Sequence, residues 1–173
     1  MDEDVASHLA SLVGAIYQGL GRHGAEVRDD EYVVALYEMA RAFGDVSIAW
    51  REALGRAPLE PFAPLVHTLE RAVAEDESGA LALYAMAAIV GPRLLVSLRD
   101  ARERVGDDSR AAALVDETAR VTVRELRELS SLTTHDEGDD PDWRARARAL
   151  VDELDAGGWT DSFGVSARLP PPV

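Results

Sequence analysis

Apolar side chains recur at intervals of three and four residues along most of the chain, the spacing that places them on one face of an α-helix. The first stripe predicts a helix over residues 4–20, ended by Gly21 and Gly24; its members are Val5, Leu9, Leu12, Val13, Ile16 and Leu20. The second predicts a helix that begins at Asp29 and ends at Gly55. Its apolar face holds Val33, Leu36, Tyr37, Ala40, Phe43, Ser47, Trp50 and Leu54.

The same periodicity predicts four further helical segments. A short helix over residues 64–74 follows three closely spaced prolines, and a long helix follows Ser78, its predicted N-cap, and reaches Val105. The long helix is apolar nearly all round over residues 81–90, which predicts a deeply buried element with an interruption at Gly91-Pro92. The last two helices cover residues 107–132 and 141–156, the latter capped by Asp140, begun by Pro141 and ended by Gly157-Gly158.

These elements predict an all-α bundle in one domain. No alternating stretch of useful length predicts a strand, and 173 residues suffice for a single hydrophobic core. We expect the bundle to occupy residues 1–157. The tail, residues 158–173, ends in three prolines and a valine and is predicted to be extended.

Composition excludes several classes of function. The chain has no cysteine, so it has neither disulfides nor thiolate sites. Its formal charge is −14, from 32 acidic and 18 basic residues, and such a surface repels nucleic acid and anionic membranes. The start, Met1-Asp2-Glu3-Asp4, is unlike a signal peptide, and the longest apolar run, residues 80–90, is too short to span a bilayer. We therefore expect a cytoplasmic location.

Several short segments of the chain resemble small ferritin-like proteins of high-GC bacteria, which are related to tRNA-modifying di-iron hydroxylases. The matching segments are EMARAFGDV at residues 38–46, REAL at 51–54, FAPLV at 62–66, IVG at 89–91 and SR at 109–110. The resemblance extends over residues 9–132. It implies a ferritin-like four-helix bundle with a short connecting helix, to which this chain adds a C-terminal helix.

The resemblance also implies where metal ligands would stand, because this family holds two irons with carboxylates and Glu-x-x-His pairs on four helices. In this chain the pair positions fall on Phe43 and Val46 and on Ala119 and Thr122. The other two positions fall near Gln18 or Gly19 and near Ser97, where no carboxylate stands, and no Glu-x-x-His pair occurs anywhere. We therefore expect a bundle without metal or other cofactor, whose former metal site is filled with hydrocarbon.

Other candidate chemistry is weak. The histidines, His8, His23, His67 and His135, lie on four different elements. The acidic stretch at residues 136–142 lacks the alternating spacing of an EF-hand and is interpreted as a solvated loop. No nucleophile elbow or phosphate-binding glycine loop is present.

Three hypotheses about function follow. The first, which we favour, is a non-catalytic structural or interaction module that pairs with a second copy or a protein partner. The second is a binder of a small apolar ligand in a cavity between helices near Gly91-Pro92; the predicted lining is Tyr37, Phe43, Trp50, Tyr84 and Met86. The third is a metal-dependent oxidase or hydroxylase with atypical ligands, Asp45, Asp116 and Glu117.

Overall fold

The computed structural model describes residues 3–23, 26–55, 60–105, 109–132 and 141–159. Within these ranges the chain forms six helices and no strand, which confirms the predicted all-α class for this part of the protein. The helices are α1 (Glu3–His23), α2 (Asp30–Leu54), α3 (Ala63–Glu75), α4 (Ala80–Val105), α5 (Ser109–Leu132) and α6 (Pro141–Ala156). Asp140, predicted to cap α6, and the loop before it lie outside the described residues.

The ends of α2 agree with the sequence prediction. The Asp29 carboxylate accepts hydrogen bonds from the backbone amides of Glu31 at 3.0 Å and Tyr32 at 3.2 Å, so two otherwise unpaired amides of the first turn are satisfied. At the other end Gly55 adopts a left-handed conformation with φ of 60°, which glycine accommodates without a steric penalty. Local chemistry therefore sets both ends of this helix.

The start of α4 depends on two side chains. Ser78, the predicted cap, accepts a hydrogen bond from the Ala80 amide at 3.2 Å. Asp76 accepts a second one from the Leu81 amide at 2.9 Å, and the Ser78 hydroxyl donates to the Asp76 carboxylate. The N-cap residue is Gly79, so the prediction of Ser78 is wrong by one residue; Ser78 and Asp76, both before the cap, accept the hydrogen bonds of the first two helical amides.

The predicted interruption of the helix at Gly91-Pro92 is wrong, because α4 continues through both residues. The turn before them, Ala85–Val90, is instead a π-helix, and the Gly91 amide donates to the carbonyl of Met86, five residues back. Proline lacks an amide proton and crowds the preceding turn. A wider turn accommodates that crowding without ending the helix.

Helix α4 is the apolar centre of the bundle. By length and composition alone it is the single helix in the described ranges that could cross a membrane, yet 67% of its most apolar stretch is buried within the protein. It packs along α5, while α1 packs against α2 and α3, α5 against α2, and α6 against α3. All six apolar residues predicted for α1 are buried, as expected for a helix with neighbours on one side.

The packed part of the chain extends to Trp159. This residue follows α6, is 3% exposed, and its indole N–H donates to the hydroxyl of Ser97 on α4 at 3.3 Å. It also stands edge-on to Phe62, with ring centroids 6.5 Å apart. Trp159 therefore joins the segment after α6 to the core.

Candidate functional site

Small residues allow α1 and α2 to approach closely. A Cβ atom placed on Gly14 would lie 3.6 Å from the Ser47 hydroxyl, and one on Gly44 would lie 3.0 Å from the Tyr17 ring. From the first contact to the second, the residue number rises from 14 to 17 on α1 and falls from 47 to 44 on α2, so the two helices are antiparallel. Because neither glycine carries a side chain, the outward surface along this line is a groove.

The large hydrophobic side chains that are exposed in the described ranges all belong to these two helices. They are Tyr17 on α1, exposed to 52%, and Val34, Tyr37 and Ile48 on α2, exposed to 55%, 69% and 46%. Single exposed apolar residues are ordinary on protein surfaces, but here four stand on two adjacent helices, three of them on the outward side of α2. We call this patch, with the groove beside it, the α1–α2 face.

The helical period explains why α2 has apolar residues on both sides. Leu36, Phe43 and Trp50, spaced by seven, are at most 1% exposed and face the core. Val34 and Ile48 are offset from that row by two residues, about 200° around the helix, and therefore face outward. The outward row has no packing partner in the described part of the chain.

The groove of the α1–α2 face has a volume of about 650 Å³. Tyr17 and Ile48 line it with apolar surface, and Gly14, Gly44 and Ser47 contribute small side chains or none. Its volume lies within the range of known ligand and peptide sites, about 300–1,000 Å³. The groove is thus large enough for part of a partner.

Arginines stand around this groove. Arg41 and Arg51 line it and are exposed, and neither forms an ion pair with any residue that the structure describes. Arg22 also lines it, but its guanidinium lies 3.4 Å from the Glu70 carboxylate. Asp45 is the one acid among the described residues of the groove lining. The groove is therefore locally basic on a protein whose formal charge is −14.

The opposite flank of α2 is acidic. A second groove, of about 460 Å³, runs between α2 and α5, and its charged lining residues are Glu38, Arg41, Asp45, Arg124, Glu125 and Glu128. Glu125 is 5% exposed, and the neighbouring Arg124 holds it with two hydrogen bonds of 2.7 and 2.9 Å. The two flanks of α2 thus differ in charge.

The structure does not bring the five predicted cavity residues together around one of the grooves. Phe43, Trp50 and Met86 are at most 1% exposed and belong to the main hydrophobic core. Tyr84 is half-buried and stands edge-on to Trp143, with ring centroids 5.7 Å apart, and burial raises the pKa of its hydroxyl. Tyr37, at 69% exposure, is on the solvent side of α2 and lines neither groove.

Trp50 instead links α2 to α5. Its indole N–H donates to the Thr118 hydroxyl at 3.0 Å, and that hydroxyl donates to the Leu114 carbonyl at 2.7 Å. The Thr122 hydroxyl, 1% exposed, donates to the Thr118 carbonyl at 2.8 Å. Every buried hydroxyl in this junction is satisfied within α5, so the contact with α2 needs no water.

The positions at which the resemblance would place metal ligands are packed or hydrogen-bonded. Phe43 and Val46 are members of the main core, and Ala119 packs against it. Ser97, 7% exposed, accepts the hydrogen bond from Trp159. Gln18 lines the α1–α2 groove.

The acids named in the third hypothesis lie on the surface. Asp116 pairs with Arg102 at 3.3 Å, Glu117 pairs with Arg120 on its own helix, and Asp45 is exposed on α2. In the described ranges no three His, Asp or Glu side chains are grouped so that they could hold a metal ion. Of the acidic stretch considered for calcium, residues 136–142, the first five residues lie outside those ranges.

The histidines are scattered. His67 is exposed on α3, and His8 on α1 stands edge-on to Phe62, with ring centroids 5.9 Å apart. Burial lowers the pKa of His8, because a charged imidazole loses solvation there. His135 and the side chain of His23 lie outside the description.

Three charged residues in the described ranges are buried without having been predicted so: Arg93, Asp100 and Glu125. Arg93, 4% exposed on α4, lies 2.7 Å from the Asp155 carboxylate near the end of α6. Its Nε and Nη1 atoms have no hydrogen-bond partner among the residues that the structure describes. No local sequence signal distinguishes Arg93 from a surface arginine, because its burial depends on how α6 packs.

Comparison with protein-family models, with curated proteins and with solved structures found no match for this chain.

Proposed function

We propose that this chain is a metal-free, non-catalytic bundle of the ferritin-like type that acts as an interaction module through its α1–α2 face. The observation that carries the proposal is the patch of Tyr17, Val34, Tyr37 and Ile48, all between 46% and 69% exposed. Exposed large apolar side chains concentrated on two adjacent helices are typical of a docking surface.

The order of the elements supports the ferritin-like part of the proposal. Four long helices, α1, α2, α4 and α5, are accompanied by the short α3 between the second and third of them. This is the arrangement of bundles with a long crossover connection. Apolar residues at Phe43 and Val46 fit a bundle in which hydrocarbon has taken the space of a metal site, since unpaired buried carboxylates would be costly.

The dimensions of the α1–α2 face support docking. Helix α2 has 25 residues and is therefore about 37 Å long, at 1.5 Å per residue. The axis of α1 lies about 8–10 Å from that of α2, and each helix is about 10 Å wide, so the outward surface of the pair is roughly 700 Å². Stable interfaces bury about 800 Å² on each partner, so this face alone supplies most of one.

The test is to remove the apolar patch without disturbing the core. In the variant Val34→Ser/Tyr37→Ser/Ile48→Ser, every substitution is at an exposed position of α2. A matched control, Arg146→Ser/Arg148→Ser/Asp152→Ser, changes three exposed residues of α6. Sedimentation velocity and affinity capture from native cell extract would compare both variants with the wild type.

We expect the wild type to form a dimer or a stoichiometric complex, which the α2 variant loses and the α6 control retains. Circular dichroism would verify that all three proteins keep the same helix content. A wild type that stays monomeric and partnerless, or an α2 variant that associates normally, would contradict the proposal. Iron or manganese bound at about one equivalent in the purified protein would overturn its metal-free part.

A further inference from the structure

The charge of the α1–α2 groove is opposite to that of the protein. The chain carries a formal charge of −14, yet Arg41 and Arg51 in the groove have no ion-pair partner among the described residues. At physiological ionic strength exposed charges are screened beyond about 8 Å. A partner seated in the groove therefore meets Arg41, Arg51 and Asp45 first, while Glu38 lies one turn from Arg41 in the neighbouring groove.

The two arginines stand at opposite ends of the groove. They are ten residues apart on α2, which is about 15 Å along the helix axis. Tyr17 and Ile48 provide apolar surface in the same groove, and Tyr17 lies over Gly44, between the arginines. The groove thus has the apolar side chains of Tyr17 and Ile48 between two arginines, with Asp45 one turn from Arg41.

This pattern matches one mode of recognition, in which an amphipathic helix lays its apolar stripe into a groove between two helices. We propose that the α1–α2 face binds an acidic amphipathic helix of a partner protein. Its apolar residues would cover Tyr17 and Ile48, and acidic residues about ten positions apart would pair with Arg41 and Arg51. This inference rests on the proposed function, and it specifies the partner.

A second copy of this chain fits the face less well. In an antiparallel pair of α2 helices centred on Arg41, the Arg41 side chains of the two copies would face each other. Glu38 of one copy would lie near Asp45 of the other. Both pairings are between like charges, which disfavours this alignment of two copies. An acidic helix from another protein pairs with both arginines and meets one like charge among the described lining residues, Asp45.

The experiment uses two synthetic peptides as probes, each about 20 residues long, or about 30 Å of helix. Both carry leucine at i, i+3, i+4 and i+7; one has glutamate flanking this stripe, and the other has lysine. Isothermal titration measures their affinity for the wild type and for Arg41→Glu/Arg51→Glu. The control is Arg146→Glu/Arg148→Glu on α6, where both arginines are exposed and without an ion-pair partner in the described ranges.

The control has the same net charge as the test variant. Each Arg→Glu substitution changes the formal charge by −2, so both double variants go from −14 to −18. We expect the acidic peptide to bind the wild type at least about tenfold more tightly than the basic peptide. We also expect about a tenfold loss with Arg41→Glu/Arg51→Glu and less than about a twofold change with the control.

Several outcomes would overturn the inference: no binding of the acidic peptide, equal binding of both peptides, or equal losses in the two charge variants. Binding of dodecanoate at these arginines, with no binding of the peptide, would also overturn it in favour of a small anionic amphiphile. If association depends on Val34, Tyr37 and Ile48 but not on the arginines, the inference falls and the proposed function stands. If association depends neither on these apolar residues nor on the arginines, both the inference and the proposed function are contradicted.

Discussion

The two sides of α2 contrast in almost every respect. On the inner side, Phe43 and Trp50 are at most 1% exposed and Trp50 is hydrogen-bonded across to α5. On the outer side, Tyr37 and Ile48 are comparably apolar but are 69% and 46% exposed. The inner side accounts for the stability of the fold, since stabilisation follows buried area. The outer side contributes little to stability, which is why we assign it to binding.

The largest expected effect comes from truncating a buried side chain on the inner side of α2. Trp50→Ala removes a fully buried side chain and leaves a cavity at the α2–α5 junction, so we expect a loss of about 3–5 kcal/mol in the free energy of unfolding. Tyr37→Ala on the outer side should change it by less than about 0.5 kcal/mol. Urea denaturation measures the free energy of unfolding of both variants. Similar losses in the two would contradict the contrast between the inner and outer sides of α2.

Two glycines give a smaller effect of opposite sign. A Cβ at Gly91 would overlap Leu126 and lie 2.8 Å from the Met86 carbonyl oxygen, so Gly91→Ala should cost about 1–3 kcal/mol. A Cβ at Gly21, beside the outer groove, would have no atom within 4 Å. Because alanine favours a helix over glycine, Gly21→Ala should stabilise by up to about 1 kcal/mol. Thermal unfolding would detect both shifts, and destabilisation by Gly21→Ala would show that the outer groove is tightly packed.

The smallest effect concerns His8, which lies on α1 and contacts Phe62. Burial lowers the pKa of His8 below 6.5, so the unfolded chain takes up a proton at higher pH than the folded protein does. The free energy of unfolding should therefore decrease as the pH falls below about 6.5. His8→Phe should flatten that dependence between pH 7 and 5 in urea titrations, whereas His67→Phe at an exposed position should not. Equal slopes in all three proteins would place His8 in solvent.

Helix positions could be predicted because periodicity and capping are local. The apolar spacing of α1 identified six residues that are all buried, and Asp29 and Gly55 end α2 as their side-chain chemistry and conformational freedom require. Tyr37 shows where the pattern misleads. It directly follows the buried Leu36, and one residue rotates the side chain by about 100°, enough to leave the core.

The candidate site was less predictable than the fold. The groove depends on Gly14 and Gly44 standing where two helices cross, and the sequence does not indicate which faces cross. Likewise Trp159 reaches Ser97, 62 residues earlier in the chain, and Arg93 is buried by a helix that begins almost fifty residues later. Such contacts arise from packing over long sequence separations, which no local pattern records.

The π-turn of α4 has a consequence for how this sequence tolerates insertions and deletions. A π-turn holds one residue more than a regular turn, so Ala85–Val90 is equivalent to a regular helix that has gained one residue. Deleting a single codon there would return the helix to the α form. Because the wide turn absorbs the extra residue, this deletion would leave Leu94 and Leu98 facing the core, whereas a deletion in a regular part of the helix would rotate everything after it by about 100°. The π-turn is therefore the place in α4 where one residue can be lost without changing the orientation of the second half.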